Sequence, residues 1–273
     1  MDMSDVIQYP HNPRLLPLQG IENFRDSGGY QSRDGRYLKW GKLFRCGHLM
    51  QMTETDGGTL ELLGIQAIFD LRTPPERNSF PSNWRCGRQP HTYTIDVHAA
   101  GDDPKADLFQ LILGGQISCE QVRHHMLADY ALMPYQFAPI LQEICQYLLA
   151  SNDAIVVHCT AGKDRTGLVT ALLLALLDIN EKDIFADYLL SNQGFRCREK
   201  LAHMVATFGH KVDNLDACMT VLKPLIQVER SYLEAALQAI KSRSGSLQRY
   251  FKDTLFMSIT EQENLKNKLL ETK

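Results

Sequence analysis

The chain has 273 residues, enough for one large domain or two small ones around a substantial core. Apolar residues make up 44% and charged residues 22%, ordinary for a globular protein, and a net charge of −3 argues against broad binding to nucleic acid or anionic membrane. Seven scattered cysteines with no Cys-x-x-Cys pair form neither a disulfide framework nor a zinc site.

Met1 to Leu16 carries Asp2 and Asp5 and lacks an apolar centre, so it does not read as a secretory signal. A reducing cytoplasm is the expected compartment, with a specialised secretion route left open because its signals need not take that form. Pro10, Pro13 and Pro17 make an extended lead-in. Asp34-Gly35, between Tyr30 and Tyr37-Leu38, predicts a tight hairpin turn, and Leu43-Phe44-Arg45 a strand. Thr53 with Asp56 predicts a helix start and Gly64 its stop. Ile65 to Leu71 reads as a strand, and Thr73-Pro74-Pro75-Glu76 as a capping box with proline at the first helical position.

Thr92 to Asp96 alternates as a strand does, and Ala99 to Lys105 is a loop rich in Gly, Asp and Pro. Glu120 to Leu149 predicts two helices broken near Pro134 or Pro139. Ala154 to Val157 is a short, mostly β-branched run that suits a buried strand, and the leucine-rich stretch Thr166 to Leu177 suits a buried helix. The longest apolar run, Leu168 to Leu177, falls short of the ~20 residues that span a bilayer, so no stable membrane insertion is expected. Asn180 with Asp183 is a candidate cap for Ile184 to Leu190. Phe195 to Pro224 mixes Arg196, Arg198, Lys200, His203, Lys211 and Lys223 with apolar residues. Helices over Tyr232 to Ile240, Leu247 to Phe256 and Thr260 to Leu270 close the chain, the last with a Thr260/Glu263 capping box.

Between that strand and helix lies His158-Cys159-Thr160-Ala161-Gly162-Lys163-Asp164-Arg165-Thr166-Gly167. A strand, a tight glycine-containing loop and a helix N-terminus form an anion site, because successive loop amides point inward and the helix dipole favours negative charge. Arg165 adds a planar fork of donors that matches two phosphate oxygens. Cys159 enters the loop beside these positive groups, where a thiol loses its proton near neutral pH. A nucleotide-binding P-loop does not fit. It needs a glycine where Val157 stands and Ser or Thr where Asp164 stands.

Cysteine, five residues, arginine and threonine resembles the phosphate loop of the protein tyrosine phosphatase superfamily. Asn23-Phe24-Arg25-Asp26 followed by Gly28-Gly29, Asp70-Leu71-Arg72 with Glu76, and the Cys-x-Ala-Gly-Lys-Asp-Arg loop resemble its bacterial tyrosine/serine, dual-specificity branch. That branch includes members active on phosphoinositides. Cys46 stands where the branch usually has Ser. The resemblance implies one phosphatase domain over residues 1–273, a protein tyrosine phosphatase-like α/β sandwich whose central mixed sheet is flanked by many helices. It also implies a helical lid at about residues 195–224; a solvated helical excursion without substrate contact is the other reading.

The chemistry so implied is two displacements at phosphorus. Cys159 forms a cysteinyl-phosphate that water then hydrolyses. Thr160, Ala161, Gly162, Lys163, Asp164, Arg165 and Thr166 bind the phosphoryl group, and the Thr166 hydroxyl donates to the sulfur. No metal or cofactor is called for. The resemblance implies Asp164 as the general acid, crowded toward its protonated form by the bound dianion. Asp70, at a strand end where sites in open α/β sheets collect, is a second candidate, and Asp102 and Asp103 are third.

Lys163 is expected to face the site's mouth, where its charge suits a polyphosphorylated head group. Arg25 with Asp26, and Arg72 with Glu76, are expected to brace the loop as ion pairs, and His158 to orient the cysteine. Substrates are expected to be phosphorylated proteins (on tyrosine, and on serine or threonine) or phosphoinositides. Two readings from other classes compete. One is a catalytically silent phospho-binding module. The other is a cysteine hydrolase of acyl bonds, disfavoured because His158 falls on the strand's other face.

Overall fold

A computed structural model describes residues 14–95, 108, 111–112, 114–194 and 215–272, the side chains of 215–219 excepted. Pro10, Pro13, Asp102, Asp103 and residues 195–214 of the expected lid lie outside these. The strands are Arg25–Asp26 (β1), Tyr37–Leu38 (β2), Leu43–Cys46 (β3), Ile65–Asp70 (β4), His91–Thr94 (β5), Ala154–His158 (β6) and Leu270–Glu271 (β7). The main helices are Glu54–Glu61 (α1), Pro74–Ser79 (α2), Cys119–Gln136 (α3), Ala138–Ala150 (α4), Asp164–Leu176 (α5), Glu181–Leu189 (α6), Leu215–Ile226 (α7), Arg230–Ser244 (α8) and Ile259–Leu269 (α9).

Five strands form one mixed sheet in the order β1-β3-β6-β4-β5, parallel except for the antiparallel edge strand β1. Its central strand β6 is buried along its whole length, which is why it reads as an unbroken apolar run. Alternation sends Ile155 and Val157 to one face, with Leu43, Ala67 and Phe69, under the larger helical layer. Val156 goes to the other face, with Phe44 and Ile68, under Leu49, Met52 and Leu60. Strands β3, β4 and β6 end together at Cys46, Asp70 and His158, and the phosphate-loop sequence begins at that edge.

Several local expectations hold. Thr53 and Asp56 form a reciprocal capping box, Gly64 takes φ +62° just beyond α1, and Pro74 opens α2. The predicted break among the helical residues falls at Phe137, with Pro134 inside the last turn of α3 and Pro139 in the first turn of α4. Three differ. The cap of α9 is Ser258 with Glu261, not Thr260 with Glu263, because the chain enters the helix two residues earlier. Asn180 sits at the start of α6, but its side-chain amide donates to Gln31 O instead of capping. Residues 247–254 form a short helical turn followed by a π-helical turn, not one continuous α-helix. Among the described residues no helix is long and apolar enough to cross a membrane.

Candidate active site

The loop after β6 is shaped by what its outward-facing carbonyls bind. The His48 amide donates to Thr160 O at 3.0 Å. Gly162 O accepts from Asn23 Nδ2 at 2.7 Å and from Arg45 Nη2 at 2.9 Å. In a planar trans peptide the N–H points opposite the C=O, so tying these two carbonyls back turns the Ala161 and Lys163 amides the other way, toward the loop's interior. Gly162 must be glycine. Its φ is +65°, and a Cβ there would stand 2.2 Å from Cys46 O.

The donors behind Gly162 belong to a buried polar cluster. Asp187 of α6 accepts from Arg25 Nε at 3.1 Å and Arg45 Nη1 at 2.6 Å, and Ser191 Oγ accepts from both arginines. Asn23 Oδ1 accepts from Arg25 Nη1 at 2.5 Å. Arg25 and Arg45 are fully buried. Burial, and then the neighbouring Arg45, push Arg25 down to about 10. Burial also opposes the Asp187 charge, yet the two arginines outweigh it and hold the carboxyl below its ordinary value.

Cys159 sits at the loop's entrance, 2% exposed. Burial pushes its thiol up, but the charge of Arg165 and the hydroxyl and amide of Thr166 prevail, so its pKa lies below the ordinary thiol value. Thr166 Oγ1 is buried beside the sulfur, where its hydroxyl helps to lower the Cys159 thiol pKa. Arg165 makes a bidentate pair with Glu76, both contacts at 2.6 Å, and Thr160 Oγ1 donates to Glu76 Oε1 at 2.5 Å. Glu76 therefore spans both ends of the loop. Its carboxyl is held far below the usual range by Arg165 against the opposing effect of burial.

The two carboxylates proposed from sequence differ in surroundings. Asp164 opens α5, and its Oδ1 accepts from the Tyr130 hydroxyl at 2.9 Å. Asp70 accepts from Arg72 Nε and Nη2 and from the Arg72 amide, and lies 3.6 Å from His158 Nε2. Burial opposes its charge, but these neighbours hold it ionised, a poor state for a proton donor. Burial also lowers His158, which is neutral at pH 7, so Arg72 carries that pairing there.

A model of the tyrosine phosphatase family matches residues 16–271. The chain belongs to that family. It is 29% identical over 260 residues to a protein named as a tyrosine-protein phosphatase in Cupriavidus necator, covering 92% of this chain and 91% of that one. It is also 29% identical over 266 residues to the triple specificity protein phosphatase PtpB of Mycobacterium tuberculosis, covering 86% and 92%. The crystal structure of P. aeruginosa TpbA aligns over 75% of this chain and 89% of that one, at 13% identity and a TM-score of 0.28.

Three pairings in the phosphatase differ from expectation. Arg25 pairs with Asp187; Asp26 instead accepts the Gly28 and Gly41 amides at 2.8 and 2.6 Å. Arg72 pairs with Asp70 and Glu76 with Arg165, so the expected Arg72–Glu76 brace does not form. Lys163 does not face the mouth. It is 2% exposed, and its ammonium donates to Leu225 O and Ile226 O at 2.7 and 2.8 Å, neutralising the C-terminal carbonyls of α7. Sequence reasoning missed Asp187, Ser191 and Tyr130. The one available signal was Asp187 itself, a carboxylate on the same apolar face of α6 as Ile184 and next to Tyr188.

Burial sets Cys46, Cys86 and Cys145 apart from Cys159, pushing all three thiols up, Cys86 to about 11 and Cys145 to about 12. At neutral pH iodoacetamide is therefore expected to label Cys159 ahead of Cys46, Cys86 and Cys145, and inorganic phosphate to slow that labelling alone. Peptide mass spectrometry reads both. Equal labelling, or no protection, would count against a thiolate in an anion site.

Proposed function

We propose that the phosphatase works through a cysteinyl-phosphate, with Cys159 as nucleophile, Arg165 and the loop amides as phosphoryl binders and Asp164 as general acid. One observation carries this reading. The thiol with the lowered pKa stands at the base of a loop whose carbonyls are tied outward and whose arginine is pre-aimed by Glu76. The transferring phosphoryl group is loose and carries its charge on three equatorial oxygens, so fixed donors supply most of the catalysis. The Thr166 hydroxyl, buried without an oxygen or nitrogen partner, supports the thiolate as leaving group in the second step.

Asp164 is favoured over Asp70 because Asp70 is saturated by Arg72. Phosphotyrosine is the proposed primary substrate, and the name of the triple-specificity relative supports extension to phosphoserine and phosphothreonine. Phosphoinositides remain in the proposed range through the loop alone, since Lys163 is engaged with α7. We keep residues 195–224 as a proposed lid within a single domain.

Asp164→Asn is expected to slow phenyl phosphate much more than p-nitrophenyl phosphate, because only the poorer leaving group needs the proton. Rates taken in EDTA, with inhibition by vanadate, also separate this reading from a silent phospho-binding module, which would show no turnover. Equal losses on both esters would assign Asp164 to bracing.

A further inference from the structure

Asp164 has one carboxylate oxygen already engaged by a chain of buried hydroxyls. Tyr130 on α3 donates to Oδ1 at 2.9 Å, and Tyr188 on α6 donates to the Tyr130 oxygen at 2.7 Å. Neither tyrosine is solvent-exposed. Their rings meet edge-on at 6.2 Å, and the Tyr232 ring of α8 tilts against Tyr130 at 5.4 Å, so the Tyr130 hydroxyl is fixed in place. A phenol has one hydrogen. Accepting from Tyr188 commits the Tyr130 hydrogen to Asp164.

We infer that Tyr130, backed by Tyr188, is a positioning residue that orients Asp164 so that the catalytic proton is carried on Oδ2. The inference rests on the reading of Asp164 as general acid. In the first displacement the S–P bond forms, the P–O bond breaks, and the Oδ2 proton passes to the leaving oxygen. In the second, water attacks phosphorus, the P–S bond breaks, and a water proton returns to Oδ2. One carboxyl must thus give a proton and take it back without rotating. A donor held on Oδ1 serves both states, meeting a carbonyl oxygen in the acid and a carboxylate oxygen in the base.

Charged or titratable groups around Asp164 among the described residues include Lys163, whose Nζ lies 3.6 Å from Oδ2, Arg165, Cys159, Tyr188 and Tyr232. Tyr130 is neutral, because burial pushes its hydroxyl far above the ordinary value. Tyr130→Phe therefore removes a hydrogen bond and no charge. That bond favours the ionised carboxylate, so its loss keeps the acid protonated to higher pH.

The test is the pH dependence of kcat/KM for phenyl phosphate. Tyr130→Phe is expected to move the alkaline limb up by roughly one pH unit and to lower kcat more for phenyl than for p-nitrophenyl phosphate. Tyr188→Phe, one bond further away, should move the limb the same way by less, and it stands in if Tyr130→Phe fails to fold by circular dichroism. In an Asp164→Asn background both changes should become silent. A limb unmoved in folded variants, while Asp164→Asn alone discriminates between the esters, overturns this inference and spares the general acid. Absence of discrimination in Asp164→Asn overturns both.

Discussion

Cys159→Ser is expected to cut turnover by roughly 10⁴-fold or more while leaving the affinity for inorganic phosphate or tungstate within a few-fold. Serine keeps the shape at the loop's entrance, so the amides and Arg165 remain where they are. What disappears is the thiol that Arg165 and Thr166 make more acidic against the opposing effect of burial. A hydroxyl in the same place stays protonated and cannot attack an ester dianion at a useful rate. Hydrolysis of p-nitrophenyl phosphate and calorimetric titration with tungstate read the two halves separately. Residual turnover near the wild-type rate would remove Cys159 from the mechanism, and loss of tungstate binding would mean that the thiolate holds the loop open.

Asp187→Ala is expected to destabilise the fold by about 3–5 kcal/mol, because it strands two fully buried guanidinium groups without their shared counter-ion. In a protein of this size that corresponds to a fall in Tm of roughly 10 °C. Removing Arg45 as well, as Arg45→Met in the Asp187→Ala background, should recover part of the loss, since fewer charges then need a partner. The folded fraction of Asp187→Ala should also turn over more slowly, because Arg45 no longer holds Gly162 O in register. A shift under about 1 kcal/mol would mean that water reaches the arginines.

The parts of this enzyme legible in the sequence are those whose cause is local. The run before Cys159 is β-branched, the run after Arg165 is leucine-rich, and the five-residue spacing itself encodes a phosphate-sized ring. Thr53 with Asp56 and Thr73 with Glu76 were readable as caps because both partners lie within one turn. Glu76 also shows the limit. Its place at the head of α2 was legible, but its reach to Arg165, 89 residues away, was not.

The same holds for Arg25 with Asp187, for Tyr130 with Asp164, and for the outer edge of Tyr37–Leu38, which forms the expected hairpin with Tyr30–Gln31 and also pairs with Leu270–Glu271. Sequence alone suggests pairings between charged residues that lie near each other. Burial overrode them, because a charge deep in the core takes whatever counter-charge the packing of distant helices brings to it. Lys163 departs from expectation for a related reason. Its identity suggests a free cation at a mouth, and only the end of α7 explains a lysine that is 2% exposed.

The clamp on Gly162 O draws on Asn23 and Arg45, and Arg45 in turn on Asp187, which lies 28 residues beyond Cys159. During translation the proposed nucleophile, Cys159, therefore leaves the ribosome before the segment that finishes its cradle. Until α6 docks, Arg45 lacks the carboxylate that anchors it against Gly162 O. The ring around Gly162 O is thus closed from a part of the chain made after the loop that it holds.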